Sequence, residues 1–93
     1  MKLREFRTKY LTKLLNLSKE LKNKYPDKSE RVEYLTSILS TKLYSLRTFT
    51  LADYIYTIYL ASTEFSEFEQ LIPGEQEVNE LYKSMNEDLD DGQ

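Results

Sequence analysis

The chain has 93 residues, 40% of them hydrophobic and 31% charged, which is typical of one small globular domain. It contains no cysteine, which excludes disulfides and thiolate zinc sites, and no histidine, which removes the commonest general base. The net charge of −3 hides a division: residues 1–47 carry twelve cations and five acids, whereas residues 48–93 carry one cation and eleven acids. No apolar run reaches the roughly 18 residues that a membrane-spanning helix needs.

Two amphipathic helices are predicted in the basic half. The first covers residues 2–24, because apolar residues recur there every three or four positions: Leu3, Phe6, Tyr10, Leu14, Leu17 and Leu21. Pro26 ends it, since proline disfavours a helical conformation of the residue before it. The second helix covers residues 28–46, and its apolar stripe is Val32, Leu35, Leu39, Leu43 and Leu46.

A third helix, over residues 51–72, is predicted to be the central element. The stretch Thr50–Asp53 has the form of a capping box, and Phe49 and Tyr54 are placed for a hydrophobic staple. Pro73 and the glycine after it end the segment. The apolar stripe is unbroken and predicts one continuous helix of about six turns; it consists of Leu51, Tyr54, Ile58, Ala61, Phe65, Phe68 and Ile72.

A fourth helix is predicted over residues 75–89, and residues 90–93 are expected to form a disordered acidic tail. Four amphipathic helices with short connections predict an all-α fold, namely a small antiparallel up-down four-helix bundle. Residues 1–89 would then be a single helical domain. The alternative is a three-helix bundle with a loosely docked C-terminal helix.

Known catalytic and metal-binding patterns are absent from the sequence. Without histidine and cysteine, a catalytic triad would need serine or threonine with lysine, and no local signature supports one. The Asp-x-Asp-x-Asp-Gly pattern of calcium loops is also missing. We therefore predict a protein that is not an enzyme and that has no cofactor and no metal site.

A protein-binding surface is predicted where the third helix changes character. Tyr56 and Leu60 point away from the main apolar stripe, and Glu64 and Glu67 begin the acidic part of the chain. Tyrosine is enriched at interfaces, and an acidic surface directs association with a basic partner. These four residues are expected to bind a larger protein. A homodimer is the other use of the same surface.

Nucleic-acid binding through the first helix is the alternative function. Its candidate residues are basic and could contact phosphates: Lys2, Arg4, Arg7, Lys9 and Lys13. A helix-turn-helix that begins at Thr50 is not favoured, because its recognition helix would carry Glu64, Glu67 and Glu69, and these carboxylates would meet phosphates with like charge.

The size and layout of the predicted helices resemble those of small helical inhibitor, immunity and accessory proteins of phages and plasmids. That resemblance implies a protein that acts by occupying a surface of a larger protein. The absence of cysteine is compatible with a cytoplasmic protein.

Overall fold

The structure is a computed structural model that describes residues 2–87, without the side chains of residues 48 and 85–87. It contains four α-helices: α1 (Leu3–Lys24), α2 (Ser29–Tyr44), α3 (Leu51–Ser62) and α4 (Glu75–Glu87). A 3₁₀ helix, Ser66–Leu71, lies between α3 and α4. One-turn 3₁₀ segments at Pro26–Lys28 and Thr48–Thr50 join the first three helices. The described residues include no strand, so the predicted all-helical class is confirmed.

The helices α1 and α2 pack side by side and run antiparallel. Arg7, near the start of α1, donates hydrogen bonds of 3.1 Å to the carbonyl oxygens of Leu43 and Leu46 at the end of α2. Lys22, near the end of α1, pairs with Glu33 near the start of α2. The guanidinium of Arg7 therefore satisfies carbonyls at a helix C-terminus, where positive charge is favourable.

The prediction of one continuous helix over residues 51–72 is wrong. The helix α3 ends at Ser62, and Phe65 adopts extended backbone angles of φ −135° and ψ 101°. The hydroxyl groups of Ser62 and Thr63 donate to backbone carbonyls one turn earlier, at 2.6 Å each. Such bonds compete with the helical ladder, so this is a favourable place for the chain to leave α3.

The 3₁₀ helix after the break buries a different set of side chains from the predicted one. Phe65, Phe68 and Leu71 are 4%, 0% and 1% exposed, whereas Ile72 is only half-buried. These three buried residues are spaced by three, which matches the three residues per turn of a 3₁₀ helix. An α-helix would have buried Ile72 in place of Leu71.

The predicted capping box and staple at the start of α3 are also wrong. Asp53 does not cap the helix, because its carboxylate accepts a 2.6 Å bond from Lys42 of α2. The Thr50 hydroxyl accepts a 2.8 Å bond from the backbone N–H of Arg47. Phe49 is 86% exposed while Tyr54 is buried, so the two rings do not form a staple. Contacts from α2 and the connecting turn override the local pattern.

The last helix joins the same hydrophobic core. Leu81 of α4 is fully buried, and Val78 and Tyr82 pack against the core cluster. The helix begins at Glu75 as predicted, and it is described as far as Glu87. The predicted end of this helix at residues 88–89 and the predicted tail over 90–93 lie outside the described residues.

Candidate protein-binding surface

Two ion pairs tie α2 to the segment that follows it. Arg31 binds Glu64, just beyond the end of α3, at 2.9 Å, and Lys42 binds Asp53 at 2.6 Å. The two cations are eleven residues apart on α2, and the two acids are eleven residues apart in the opposite direction. Because eleven residues are about three helical turns, the cations lie along one edge of α2, and the acids lie along one edge of α3 and the turn that follows it. We call this antiparallel contact line the α2–α3 seam.

Apolar side chains occupy the seam between the two ion pairs. The residues Arg31, Tyr34, Ile38 and Lys42 are spaced by three, four and four, and Asp53, Tyr56, Leu60 and Glu64 repeat the same spacing. Tyr34, Tyr56 and Leu60 are 54%, 60% and 50% exposed, and Ile38 is half-buried. We call these four apolar residues the outer seam face. It is an apolar surface with a cation and an acid at each end.

The ion pair at one end of this face is held in a fixed geometry. The Arg31 guanidinium donates three bonds to the Glu64 carboxylate, from Nε to both oxygens at 2.9 and 3.2 Å and from one terminal nitrogen at 2.9 Å. The same guanidinium lies 5.0 Å from the centre of the Tyr34 ring, a cation–π contact. The bonded Glu64 carboxylate raises the pKa of Arg31, so its charge is constant at physiological pH.

The structure does not bring the four predicted binding residues together on one surface. Tyr56, Leu60 and Glu64 lie along the seam, but Glu67 is turned toward α1. The Glu67 carboxylate accepts a 2.8 Å bond from Lys24 and a 3.3 Å bond from the Tyr25 hydroxyl. The bond from Lys24 is the main cause that lowers the pKa of Glu67. Glu67 therefore contributes to internal packing rather than to the outer seam face.

The acidic segment makes a further contact with α1 through Glu77 of α4. Its carboxylate accepts a 2.5 Å bond from Lys9 and a bond from the Tyr10 hydroxyl. Burial opposes ionisation of Glu77, but the bonds from Lys9 and Tyr10 outweigh it, and the pKa of Glu77 is lowered. The ion pairs of Glu64, Glu67 and Glu77 all join the acidic half of the chain to the basic half. Much of the charge division in the sequence is thus neutralised inside the fold.

Some of the five basic residues predicted to bind nucleic acid also make contacts within the fold. Arg7 is bonded to the end of α2, and Lys9 to Glu77. Lys13 lies 5.1 Å from the centre of the Tyr10 ring. Arg4 is exposed, and the backbone N–H of Lys2 donates to the Glu5 carboxylate at 3.2 Å. Because Arg7 and Lys9 are used internally, the geometry does not favour this helix as a phosphate-binding surface.

Sequence analysis did not assign Tyr34 and Ile38 to the site, although a signal was present. The spacing of three, four and four between charged ends occurs once on α2 and once on α3 with the following turn. A search for two such matching edges on neighbouring antiparallel helices would have paired Tyr34 and Ile38 with Tyr56 and Leu60.

Other properties of the described residues limit what the site can do. Among the side chains that the structure describes, no three acidic residues come close enough together to hold a metal ion. Within residues 2–87, no helix has both the length and the apolar character needed to cross a bilayer. Comparisons with protein-family models, with curated proteins and with solved structures find no match to this chain.

Proposed function

We propose that this protein is a non-enzymatic protein-binding module whose outer seam face docks on a larger protein. The observation that supports this function is the exposure of Tyr34, Tyr56 and Leu60, each at least half accessible and each placed in sequence between the two ion pairs of the seam. Monomeric proteins rarely leave large apolar side chains clustered in this way without a functional reason. Half-exposed tyrosines are also suited to interfaces, because their rings supply contact area at a low cost in conformational entropy.

The proposed interface has an apolar centre and a charged rim. Tyr56 and Leu60 would insert into pockets of the partner, while the Arg31–Glu64 and Lys42–Asp53 pairs would remain at the edge. In such interfaces the buried aromatic residues contribute most of the binding free energy, and exposed rim charges contribute little. Of the two acidic residues predicted for this surface, only Glu64 would act at this rim.

The scaffold in this proposal is an antiparallel up-down four-helix bundle in which the 3₁₀ helix replaces the end of the third helix. The biological role we propose is that of an inhibitor, immunity or accessory factor of a phage or mobile element, which acts by covering a surface of a larger protein. The proposed compartment is the cytoplasm, since a chain without cysteine needs no oxidising environment to fold.

Affinity capture with matched variants tests this function. Immobilised protein would be exposed to lysate of the native host, and bound proteins would be identified by mass spectrometry. The test variant is Tyr56→Ser/Leu60→Ser. The control, Leu15→Ser/Tyr44→Ser, removes the same two residue types at comparable exposures of 55% and 66% from other surfaces. Circular dichroism would confirm that both variants remain folded.

The expected result is a partner that is retained by the wild type and by the control but is lost by the test variant. Loss of both apolar anchors is expected to reduce partner affinity by at least about tenfold, since central anchors each contribute more than about 1 kcal/mol. Equal capture by the test and control variants would contradict the assignment of this face.

A further inference from the structure

We propose that, in the absence of its larger partner, the outer seam face binds the same face of a second copy of this chain. The two copies would be related by a two-fold axis parallel to the α2–α3 seam. This inference rests on the proposed function only for the identity of the face as a binding surface. What it adds is that a second copy of the chain binds there and that the two-fold axis runs parallel to the seam. Both can be tested with the purified protein alone.

The charges that frame the face determine which geometry is possible. On one side of the seam, α2 carries the two cations Arg31 and Lys42. On the other side, Asp53 and Glu64 supply the two acids. The face is therefore basic along one edge and acidic along the other, with an apolar centre. A surface of this kind can be complementary to itself.

A two-fold axis parallel to the seam places α2 of one copy over α3 of the other. Arg31 then faces Glu64 of the second copy, and Lys42 faces Asp53 of the second copy. Each internal ion pair becomes part of a group of four alternating charges. Tyr34 then lies opposite Leu60, and Ile38 opposite Tyr56, of the second copy, so the exposed apolar side chains of both copies cover one another.

A two-fold axis perpendicular to the seam, in the plane of the face, would bring like charges together instead. It would place α2 over α2, so that Arg31 would face Lys42 and Glu64 would face Asp53 of the second copy. Juxtaposed like charges oppose association and select against the wrong arrangement. The charge pattern therefore favours the parallel axis over the crossed one, while the apolar centre is compatible with both.

The size of the face predicts a weak dimer. The seam between the two ion pairs is about 16 Å long, because eleven helical residues rise about 1.5 Å each. A face of this length covers less area than the roughly 800 Å² that a standard interface buries on each partner. We expect a dissociation constant in the micromolar range or weaker, so that a larger partner with better pockets displaces the second copy.

A charge-swapped chain provides the test. The double variant Arg31→Glu/Glu64→Arg retains the internal ion pair with its direction reversed, so the monomer keeps its fold. It should form homodimers with an affinity similar to that of the wild type, because the swap restores complementarity between two identical copies. In a mixed dimer with the wild type, however, base faces base and acid faces acid at that end of the seam.

Fluorescence energy transfer between differently labelled chains would measure the mixed dimer. The amount of mixed dimer should be at least about fivefold lower than random pairing of the two chains would give, because both like-charge contacts oppose its formation. The control is Lys22→Glu/Glu33→Lys, which swaps an ion pair between α1 and α2 that lies away from the seam. This control should mix statistically with the wild type. Sedimentation velocity would provide the homodimer affinities.

Three outcomes would overturn the proposal: a wild type that stays monomeric at millimolar concentration, statistical mixing of the seam swap, or a swapped homodimer much tighter than the wild-type homodimer, which the crossed axis predicts. Tyr34→Ser adds an independent measure that leaves every ion pair intact, and it should weaken the homodimer at least about tenfold. If the dimer is absent while Tyr56→Ser/Leu60→Ser still loses the captured partner, the proposed function stands and only this inference fails. If the dimer forms but Tyr56→Ser/Leu60→Ser still captures the partner, the proposed function fails and the dimer stands.

Discussion

The two sides of the α2–α3 layer use the same kinds of residue in different ways. On the inner side, α1 packs on α2 and the 3₁₀ helix packs on α3, while glutamates of the 3₁₀ helix and of α4 pair with basic residues of α1. On the outer side, ion pairs also join the two halves of the chain, but Tyr56 and Leu60 remain half exposed. Ion pairs alone therefore do not identify a binding surface. The uncovered apolar side chains between them do.

The largest expected effect contrasts one aromatic residue from each side. Phe68→Ala should lower the free energy of unfolding by about 3–5 kcal/mol, because Phe68 is fully buried and its removal leaves a cavity. Tyr56→Ala should change it by less than about 0.5 kcal/mol, since its ring is 60% exposed. Urea denaturation would measure both. A large loss of stability in Tyr56→Ala would mean that the outer face is part of the core.

The next effect tests the register of the 3₁₀ helix on the inner side. Leu71→Ala should cost about 2–4 kcal/mol, because Leu71 is 1% exposed. Ile72→Ala should cost less than half as much, since Ile72 is only partly buried. Thermal denaturation of the two variants gives the comparison directly. A continuous helix through this segment would reverse the order of the two costs.

Two buried tyrosines should respond with opposite sign when the hydroxyl is removed. The Tyr10 hydroxyl donates to Glu77, whereas the buried Tyr54 hydroxyl has no hydrogen-bond partner among the described residues. Tyr10→Phe should destabilise the protein by about 1–2 kcal/mol, because a bond to a charged group is lost. Tyr54→Phe should stabilise it by about 1 kcal/mol, because an unsatisfied polar group is removed. Loss of stability in Tyr54→Phe would show that its hydroxyl has a partner in solution.

The smallest effect is a pH dependence that arises on the inner side. The folded state lowers the pKa of Glu67 and Glu77 below the ordinary value of 4.5. Their contribution to stability is therefore complete above that pH and is lost as the pH falls through their folded values. Glu67→Gln/Glu77→Gln should be less stable than the wild type at pH 7. The difference in stability should narrow as the pH falls toward about 3, because the wild-type carboxylates become protonated in that range. A difference that is constant between these pH values would argue against both contacts.

Several elements could be predicted from the sequence because their signals are local. The apolar spacing in α1 and α2 is maintained over many turns, Pro26 marks the break between them, and the predicted start of α4 at Glu75 is confirmed. Tyr56 and Leu60 were also predicted to point away from the main apolar stripe, since the helical period places them opposite Ile58. In each case, neighbouring residues contain the information.

Errors arose where two local structures fit the same residues. Phe65 and Phe68 belong equally to a helical stripe and to a 3₁₀ repeat, and the choice between them depends on whether Leu71 or Ile72 has space in the core. Asp53 is suited to a cap, but it is also within reach of Lys42 on another helix. Such choices depend on contacts that sequence spacing does not contain.

By itself, the sequence determined the helical class, most helix boundaries, the apolar stripes of α1 and α2, and the division of charge between the halves. Only the tertiary structure decided which acids meet which bases, because those pairs join residues as far apart as Lys9 and Glu77. It likewise decided that α3 ends at Ser62 and that Glu67 faces α1 while Glu64 borders an exposed apolar surface. The physical reason is that a helical period orients a side chain around its own axis, whereas the neighbour it meets depends on how the helices pack.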